Sequence, residues 1–427
     1  MNNTIPTITV GELISRGEAD VQTGPFGTQL KASEYVDFGI PVINVRNVGF
    51  GEIRDAELEY VTDAKAEKLK AHQLQKGDIV FGRKGAVERH ALIDEEQSGW
   101  VQGSDCLRLR LKSPSVCERY ASYYLRTRAH QDWMQALCSF GATMASLNQD
   151  IVKRITIPLP SLTTQRKIAA ILTAYDDLIE INRRRIALLE KIAEELYREW
   201  FVRMRFPGHQ DTRFVKGVPE GWEVKRIAEI YKTSSGGTPS RKVLEYYNGD
   251  IQWLKTGELK SLFTCRSQEN ITLSGLESSS AKIFPARTVI MAMYCAMPDI
   301  SIATYDVATN QACCAFLPKN NWLHYGFNYY LLRAAQKELV MFAHGAAQQN
   351  LSQDIIGKYQ ILLPSKSLVE KFGTAIEPML QMIQQVAESN EVLTKTRDLL
   401  LPRLISGKLS VEDLDIQFPP SMREEAA

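Results

Sequence analysis

No apolar run in the 427 residues approaches the roughly 20 that a bilayer-spanning helix requires. The start, Met1-Asn2-Asn3-Thr4-Ile5-Pro6, lacks the basic flank and apolar core of a secretory leader. We therefore expect a cytoplasmic protein without a membrane segment. Cysteine is scarce: Cys106, Cys117, Cys138, Cys265, Cys295 and the adjacent Cys313-Cys314 make an odd seven with no C-x-x-C spacing. Reduced, buried thiols are expected, and with only six dispersed histidines no tetrahedral zinc site is. A surplus of positive charge is missing too, since 51 Lys and Arg meet 50 Asp and Glu. A chain that neutralised many phosphates alone would need that surplus, so any nucleic-acid contact must be local or shared with partners. Neither a G-x-x-x-x-G-K-[ST] loop, nor G-x-G-x-x-G after a strand, nor H-E-x-x-H occurs. The Asn/Asp-Pro-Pro-aromatic grip of an aminomethyltransferase is also missing, Phe418-Pro419-Pro420-Ser421 having the wrong order. No catalytic residue, metal site or bound cofactor is expected in this chain.

What is present is a repeat. With 44% hydrophobic residues and 24% charge the chain is long enough for several folded units, and self-similarity shows how they are arranged. Leu147-Asn148-Gln149-Asp150-Ile151 recurs as Leu351-Ser352-Gln353-Asp354-Ile355, and Ile157-Pro158-Leu159-Pro160 is echoed by Ile361-Leu362-Leu363-Pro364, at an ungapped offset of 204. Tyr123-Tyr124-Leu125 answers Tyr329-Tyr330-Leu331, and Gly77-Asp78-Ile79-Val80 falls opposite Arg287-Thr288-Val289-Ile290. Further upstream the halves diverge.

After each Leu-Pro the pattern becomes that of a long helix. Ile168, Leu172, Tyr175, Ile179, Asn182, Ile186, Leu189, Ala193, Leu196 and Trp200 alternate spacings of four and three, a heptad seam. The repeat gives a second seam at Phe372, Ile376, Met379, Ile383, Val386, Asn390, Leu393, Arg397, Leu400 and Leu404. Ser367 with Glu370 reads as a capping box at its start, and Gly407 as its stop. The two stripes pack either on their own globular halves or on each other. A sustained 3.5-residue period favours mutual pairing, with Asn182 and Asn390 either setting register or lying solvated at a frayed edge, and the returning chain makes the pair antiparallel.

The expected fold is α+β: two mixed α/β globular domains separated by two long helices that form an antiparallel coiled coil, a pseudo-twofold internal repeat. The segments are residues 1–160 (first globular domain), 161–202 (helix), 203–221 (linker rich in Gly, Pro and Arg), 222–364 (second globular domain), 365–407 (helix) and 408–427 (a poorly ordered tail).

The globular halves carry turns with groups suited to nucleic acid. Thr23-Gly24-Pro25-Phe26-Gly27-Thr28-Gln29 presents hydroxyl, amide and aromatic groups, and Arg83-Lys84 follows the strand Ile79-Val80-Phe81. Those two cations anchor phosphate or a guanine edge, or form a solvated turn. Asn47, in Arg46-Asn47 after the strand Pro41-Val42-Ile43-Asn44-Val45, pairs with adenine or caps a turn. In the second half Ser234-Ser235-Gly236-Gly237-Thr238-Pro239-Ser240 and Lys255-Thr256-Gly257 take the corresponding places, their glycines marking close backbone approach or simple flexibility. Gln348-Gln349-Asn350 is a further amide cluster that caps an element or faces a ligand, and Arg183-Arg184-Arg185 reads most simply as a solvated helix face, the alternative being contact with phosphates or a partner.

These stretches, with Gly39-Ile40-Pro41-Val42-Ile43, Trp253-Leu254-Lys255-Thr256-Gly257-Glu258-Leu259 and the ending Leu401-Pro402-Arg403-Leu404-Ile405-Ser406-Gly407, resemble the specificity subunit of type I restriction-modification enzymes. They span nearly the whole chain in family order. The resemblance implies two target-recognition domains spaced by conserved helices, and a non-catalytic DNA-binding subunit that reads an asymmetric bipartite site in defence against foreign DNA. It also implies partners: double-stranded DNA, two methyltransferase subunits and two restriction subunits. S-adenosylmethionine, ATP and Mg would be theirs. It implies that Arg46, Asn47, Arg83, Lys84, Lys255 and Thr256 face DNA, and we expect Thr23, Phe26, Thr28, Arg89, Ser235, Gly237, Thr238 and Tyr294 to share that role. Glu88 departs from the glycine usual in related sequences. Two readings compete with this one: a coiled-coil scaffold without DNA readout, and a nuclease or methyltransferase whose site goes unrecognised.

Overall fold

The structure is a computed structural model that describes residues 5–139, 145–294, 298–345 and 351–422. The chain divides into one unit of Met1–Ile179 with Leu393–Ala427 and a second of Glu180–Val392. Cys295 and the amides Gln348-Gln349-Asn350 lie outside the described residues.

The first unit is organised by a five-stranded sheet in the order Ala19–Thr23, Cys106–Leu111, Ile79–Gly82, His90–Leu92, Phe50–Gly51. Its central strand is apolar without alternation and buried on both faces, because side chains of successive residues point to opposite sides. Ile79 and Phe81 pack with Tyr120, Leu125 and Leu172 from helices. Val80 packs with Ile43, Ile93 and Cys106 on the other face. That face is covered by a three-stranded sheet, Glu59–Val61, Ile40–Ile43 and Val101–Gln102. A two-stranded ladder of Thr7–Thr9 with Thr156–Pro158 completes the unit.

The second unit repeats this plan. Its five-stranded sheet runs Tyr231–Ser235, Cys313–Pro318, Val289–Ala292, Ile300–Ala303, Phe263–Thr264. Val289 and Met291 join the helical core around Phe327 and Phe372, whereas Ile290 and Ala292 face Leu254. A four-stranded sheet, Glu269–Ile271, Tyr247–Leu254, Val307–Thr309 and Ile283–Phe284, covers the second face. The divergent early parts of the two halves thus share one topology.

Strand register makes the equivalences residue by residue. Gly82 pairs with Cys106 as Ala292 pairs with Cys313, and Thr23 with Leu107 as Ser235 with Cys314. Val42 lies between Glu59 and Val101 as Trp253 lies between Glu269 and Ala308. Thr23 therefore corresponds to Ser235, Lys84 to Tyr294, Asn44 to Lys255 and Glu59 to Glu269.

The long helices are Leu162–Tyr197 and Lys366–Ile405. Ser161 starts the first, its Oγ accepting from the Thr164 N–H at 3.1 Å. The second starts two residues before the expected capping box: the backbone carbonyl of Ser365, the repeat mate of Ser161, accepts from the N–H groups of Leu368 and Val369. Ser367 and Glu370 are already inside it, because the turn after the strand Gln360–Leu363 leaves Ser365 at the cap position. Gly407 stops the helix as expected, at φ +71°, a left-handed conformation that glycine adopts without strain.

Within each unit the helices pair antiparallel. In the first unit the beginning of one, at Ile168 and Leu172, shares a core with the end of the other, at Leu401, Leu404 and Ile405. In the second unit Ala193 and Tyr197 share a core with Phe372, Ile376 and Ile383. Of the seam residues, Ile179, Asn182 and Ile383 are buried, while Ile186, Leu189, Val386, Asn390 and Leu393 are half-buried. Asn182 Nδ2 donates to Asn390 Oδ1 at 2.8 Å, so the two polar seam positions satisfy each other. At one seam position apolar packing gives way to charge: Arg397 reaches Asp176 at 2.5 Å.

Two segments expected to be irregular are packed. In residues 203–221, Phe206 is buried against Trp222, with ring centroids 5.7 Å apart, and Phe214–Val215 pairs with Val218–Pro219. The supposed tail packs as far as Met422, because its spaced apolar residues find the first unit's core. Val411 and Met422 are buried, and Ser421 Oγ donates to Asp177 at 2.7 Å. No described helix is long and apolar enough to cross a membrane.

Candidate nucleic-acid interface

In each unit, turns that are distant in sequence meet on one short segment that precedes the second strand of the large sheet. In the first unit that segment is Gly103-Ser104-Asp105-Cys106. The Gly24 N–H donates to the Cys106 carbonyl at 3.0 Å, Gly103 N–H to Ile43 carbonyl at 2.9 Å and Arg83 N–H to Asp105 carbonyl at 2.9 Å. The turns after Thr23, Ile43 and Gly82 are thereby tied together. In the second unit the equivalent segment is Thr309-Asn310-Gln311-Ala312. Gly237 N–H donates to Thr309 carbonyl at 2.9 Å, Asn310 N–H to Leu254 carbonyl at 3.0 Å and Met293 N–H to Ala312 carbonyl at 2.8 Å.

The glycines make this convergence possible. A Cβ on Gly24 would sit 1.9 Å from the Gly103 carbonyl oxygen, and one on Gly236 would sit 1.8 Å from that of Thr309. The close backbone approach that these turns signalled is to the protein itself. The repeated Gln-Asp motif serves the same end. Asn148 and Ser352 cap the short helices Gln149–Lys153 and Gln353–Lys358, from which Gln149 reaches Thr23 Oγ1 at 3.0 Å and the Gln353 amide lies 2.8 Å from Ser235 Oγ.

The expected site residues fall into groups. Phe26, Thr28, Lys84, Thr238 and Tyr294 are exposed around the convergent turns. Lys84 Nζ lies 3.4 Å from Asp105, and Thr238 Oγ1 donates to Gln311 Oε1 at 2.5 Å. Thr23, Ser235 and Thr256 are half-buried there, and Arg83 leaves its Nε buried without a partner. Arg46 is half-exposed, donating from Nε to the Glu57 carbonyl at 3.0 Å and meeting Glu59 at 3.3 Å. Lys255 meets Glu269 at 3.4 Å.

Three of the expected residues have other duties. Asn47 is wholly buried: its Oδ1 accepts from the Asn44 N–H, and its Nδ2 donates to the carbonyls of Arg54 and Ala56. Its amide is consumed in closing the turn and has nothing left for a base edge, so the turn-capping alternative holds. Gly237 is buried, with room for no Cβ beside Ser280 and Ala281. Arg89 lays its guanidinium over the Phe50 ring, 5.5 Å from its centroid. Asn44, Glu59, Asp105, Arg241, Glu269 and Gln311 were missed. Arg241 comes from a turn and the others from a neighbouring strand or the residues beside a strand end, and no local motif marks any of them.

Among the described residues, nothing in either cluster resembles a reaction centre. Burial drives His90 down to about 3 and His130 to about 4, and pushes the Cys106 thiol up to about 12, so none of these groups is poised for proton transfer near neutrality. Cys106, Cys117, Cys138, Cys265, Cys313 and Cys314 are buried free thiols. Among the described residues no three His, Cys, Asp or Glu side chains gather to hold a metal.

A doubled α/β unit, with paired long helices and a polar turn cluster in each copy, is the architecture of a DNA specificity protein. The profile of the type I restriction modification DNA specificity domain matches residues 27–191 and again 219–391. The chain belongs to this family: it is a sequence-recognition subunit, and catalysis lies in the methylating and restriction subunits of such systems. It is similar to the MjaIX specificity subunit of Methanocaldococcus jannaschii, 31% identical over 310 residues, covering 70% of this chain and 71% of that one. The HindI specificity subunit of Haemophilus influenzae is 22% identical, covering 86% and 94%. The crystal structure of a type I S subunit from M. genitalium shares the fold, with a TM-score of 0.59 at 17% identity, covering 95% of this chain and 97% of that one. Membership decides among the three readings that composition and motifs left open, in favour of DNA specificity.

Proposed function

We propose that this chain, acting in the cytoplasm, reads an asymmetric bipartite DNA sequence, one half-site per unit. It directs two methyltransferase and two restriction subunits, which bring S-adenosylmethionine, ATP and Mg. The observation that carries this reading is that one backbone frame holds different side chains at equivalent positions: Lys84 against Tyr294, Asn44 against Lys255, Thr23 against Ser235. Lys84 and Tyr294 are exposed and the other four half-buried, and groups held at the surface of a rigid scaffold suit base readout. Different groups on the same scaffold suit different half-sites. The balanced charge fits a chain whose partners supply most phosphate contacts.

Ile181, Leu188 and Ile192 are 61%, 63% and 55% exposed on the first long helix. Their spacing of seven and four puts them on one stripe, apart from the seam, and this stripe seats a methylating subunit. Selection from a random DNA pool by the complex with its methylating subunit tests the proposal. We expect two specific blocks flanking a fixed stretch of any base; retention without a motif would refute it.

A further inference from the structure

The two convergent turn clusters share a feature that no local motif announces: a carboxylate at the same register position, Glu59 in the first unit and Glu269 in the second. Each stands on the strand next to the one that ends in the cluster, and each is partly exposed. What they hold differs. Glu59 accepts from Asn44 Nδ2 at 2.6 Å and meets Arg46 NH2 at 3.3 Å. Glu269 meets Lys255 Nζ at 3.4 Å and takes both terminal nitrogens of Arg241, at 2.8 and 3.3 Å. Arg241 is held further by aromatic faces, its guanidinium lying 4.5 Å from the Tyr247 centroid and 5.2 Å from that of Trp253.

We propose that Glu59 and Glu269 are equivalent specificity-determining clamps, each fixing the direction and charge of the side chains that one unit offers to a base edge. The assignment rests on DNA readout by these turn clusters. In the first unit one carboxylate faces one cation and one amide, which leaves a neutral group. In the second it faces two cations, which leaves one positive charge. Arg241, aided by Lys255, holds the Glu269 carboxyl below its ordinary range, so it stays ionised. A guanidinium or ammonium held in one direction discriminates guanine acceptors, whereas a mobile one finds phosphate indiscriminately. The common clamp therefore supplies rigidity, and Asn44 with Arg46 against Lys255 with Arg241 supplies the difference between half-sites.

The test uses the complex with its methylating subunit and a DNA library randomised through both half-sites, with methylated positions mapped by sequencing. E269Q is expected to relax one base position of one half-site by about 5- to 100-fold, with the other half-site unchanged. E59Q should do the same in the other half-site only. The aspartate variants E269D and E59D should restore most of the discrimination, and E223Q, on the strand Glu223–Arg226 away from the cluster, should change neither half. A wild-type motif left intact by both glutamine variants overturns the assignment. So does a uniform fall in methylation rate at every site without a change of motif, which is what a merely structural role would give. If E269Q does not accumulate as folded protein, Lys255→Met decides by the same criterion. A wild-type complex that yields no motif would instead overturn DNA readout by the two units, and this assignment with it.

Discussion

Asp176 sits between two arginines in the first unit, and the second unit shows what the same place looks like without charge. Its carboxylate meets Arg126 at 2.8 Å and Arg397 at 2.5 Å, and accepts from Tyr123 OH at 2.7 Å. The arginines are 14% and 16% exposed and the aspartate 29%. The repeat places Leu332, Leu380 and Ala193 at the positions of Arg126, Asp176 and Arg397, and all three are buried in the second unit's core. Removing one member of a buried ion pair costs about 3–5 kcal/mol, because the remaining charge loses its partner but not its burial. Partial exposure of Asp176 reduces this to about 2–3 kcal/mol for Asp176→Asn.

Replacing the whole triad as nature does in the other unit, Arg126→Leu with Asp176→Leu and Arg397→Ala, removes the desolvation cost together with the attraction. It should be neutral or stabilising by about 1–4 kcal/mol, with Tyr123 OH keeping its contact to Thr173 at 3.1 Å. In a unit of this size the single variant should melt about 4–12 °C lower. Calorimetry, with hydrogen exchange on peptides around residues 118–128, reads the first unit alone. The pH dependence follows. Burial by itself would raise Asp176, but Arg126 and Arg397 outweigh it and hold the carboxyl below its ordinary value. Its stabilisation is present above about pH 4 and lost as pH falls through the folded-state value, a component that Asp176→Asn should lack. A triple variant as unstable as the single one would refute the reasoning.

His90 and His130, driven by burial to about 3 and about 4, stay neutral in the folded state while the unfolded chain takes up protons below about pH 6.5. Stability of the first unit should therefore fall between pH 7 and pH 5 by about 1–2 kcal/mol for each histidine, and in His130→Gln the gap between the urea midpoints at the two pH values should shrink by about half, His90 supplying the rest. Gly24→Ala and Gly236→Ala force a Cβ into a backbone carbonyl and should each destabilise one unit by more than about 2 kcal/mol. In partner complexes each should also abolish methylation through loss of one half-site; full activity with an unchanged melt would count against the convergence. Glutamate at Ile181, Leu188 and Ile192 should weaken co-purification with the methylating subunit at least tenfold while leaving the melting temperature within about 1–2 °C, because these side chains are exposed.

The helices, their seam and the doubled plan were legible in the sequence. They rest on local periodicity and on a repeat at constant offset, both readable without knowing which strands pair. Asn182 and Asn390 meet as their seam positions required. The short glycine turns were legible as sites of close approach, but what approaches them was not: Gly24 closes on Gly103 and Gly236 on Thr309, across 79 and 73 positions of chain. Asn47 shows the limit of a residue-type argument, since an amide suited to adenine is equally suited to closing its own turn, and only its burial decides. Ser365 in place of Ser367 as helix cap, and the burial of Val411 and Met422, were likewise set by what the chain packs against.

What sequence alone determined, then, is the part of this protein governed by neighbours along the chain: two long amphipathic helices, buried thiols, and two globular halves. What only tertiary structure decided is that the diverged halves share one strand order, and that three turns in each meet on a single segment. Tertiary structure also sets Glu59 and Glu269 in equivalent places beside the groups they hold. Strand pairing joins residues far apart in the chain, and its register follows from which faces are buried. A carboxylate contributed by the next strand therefore leaves no trace in the spacing of the residues it controls.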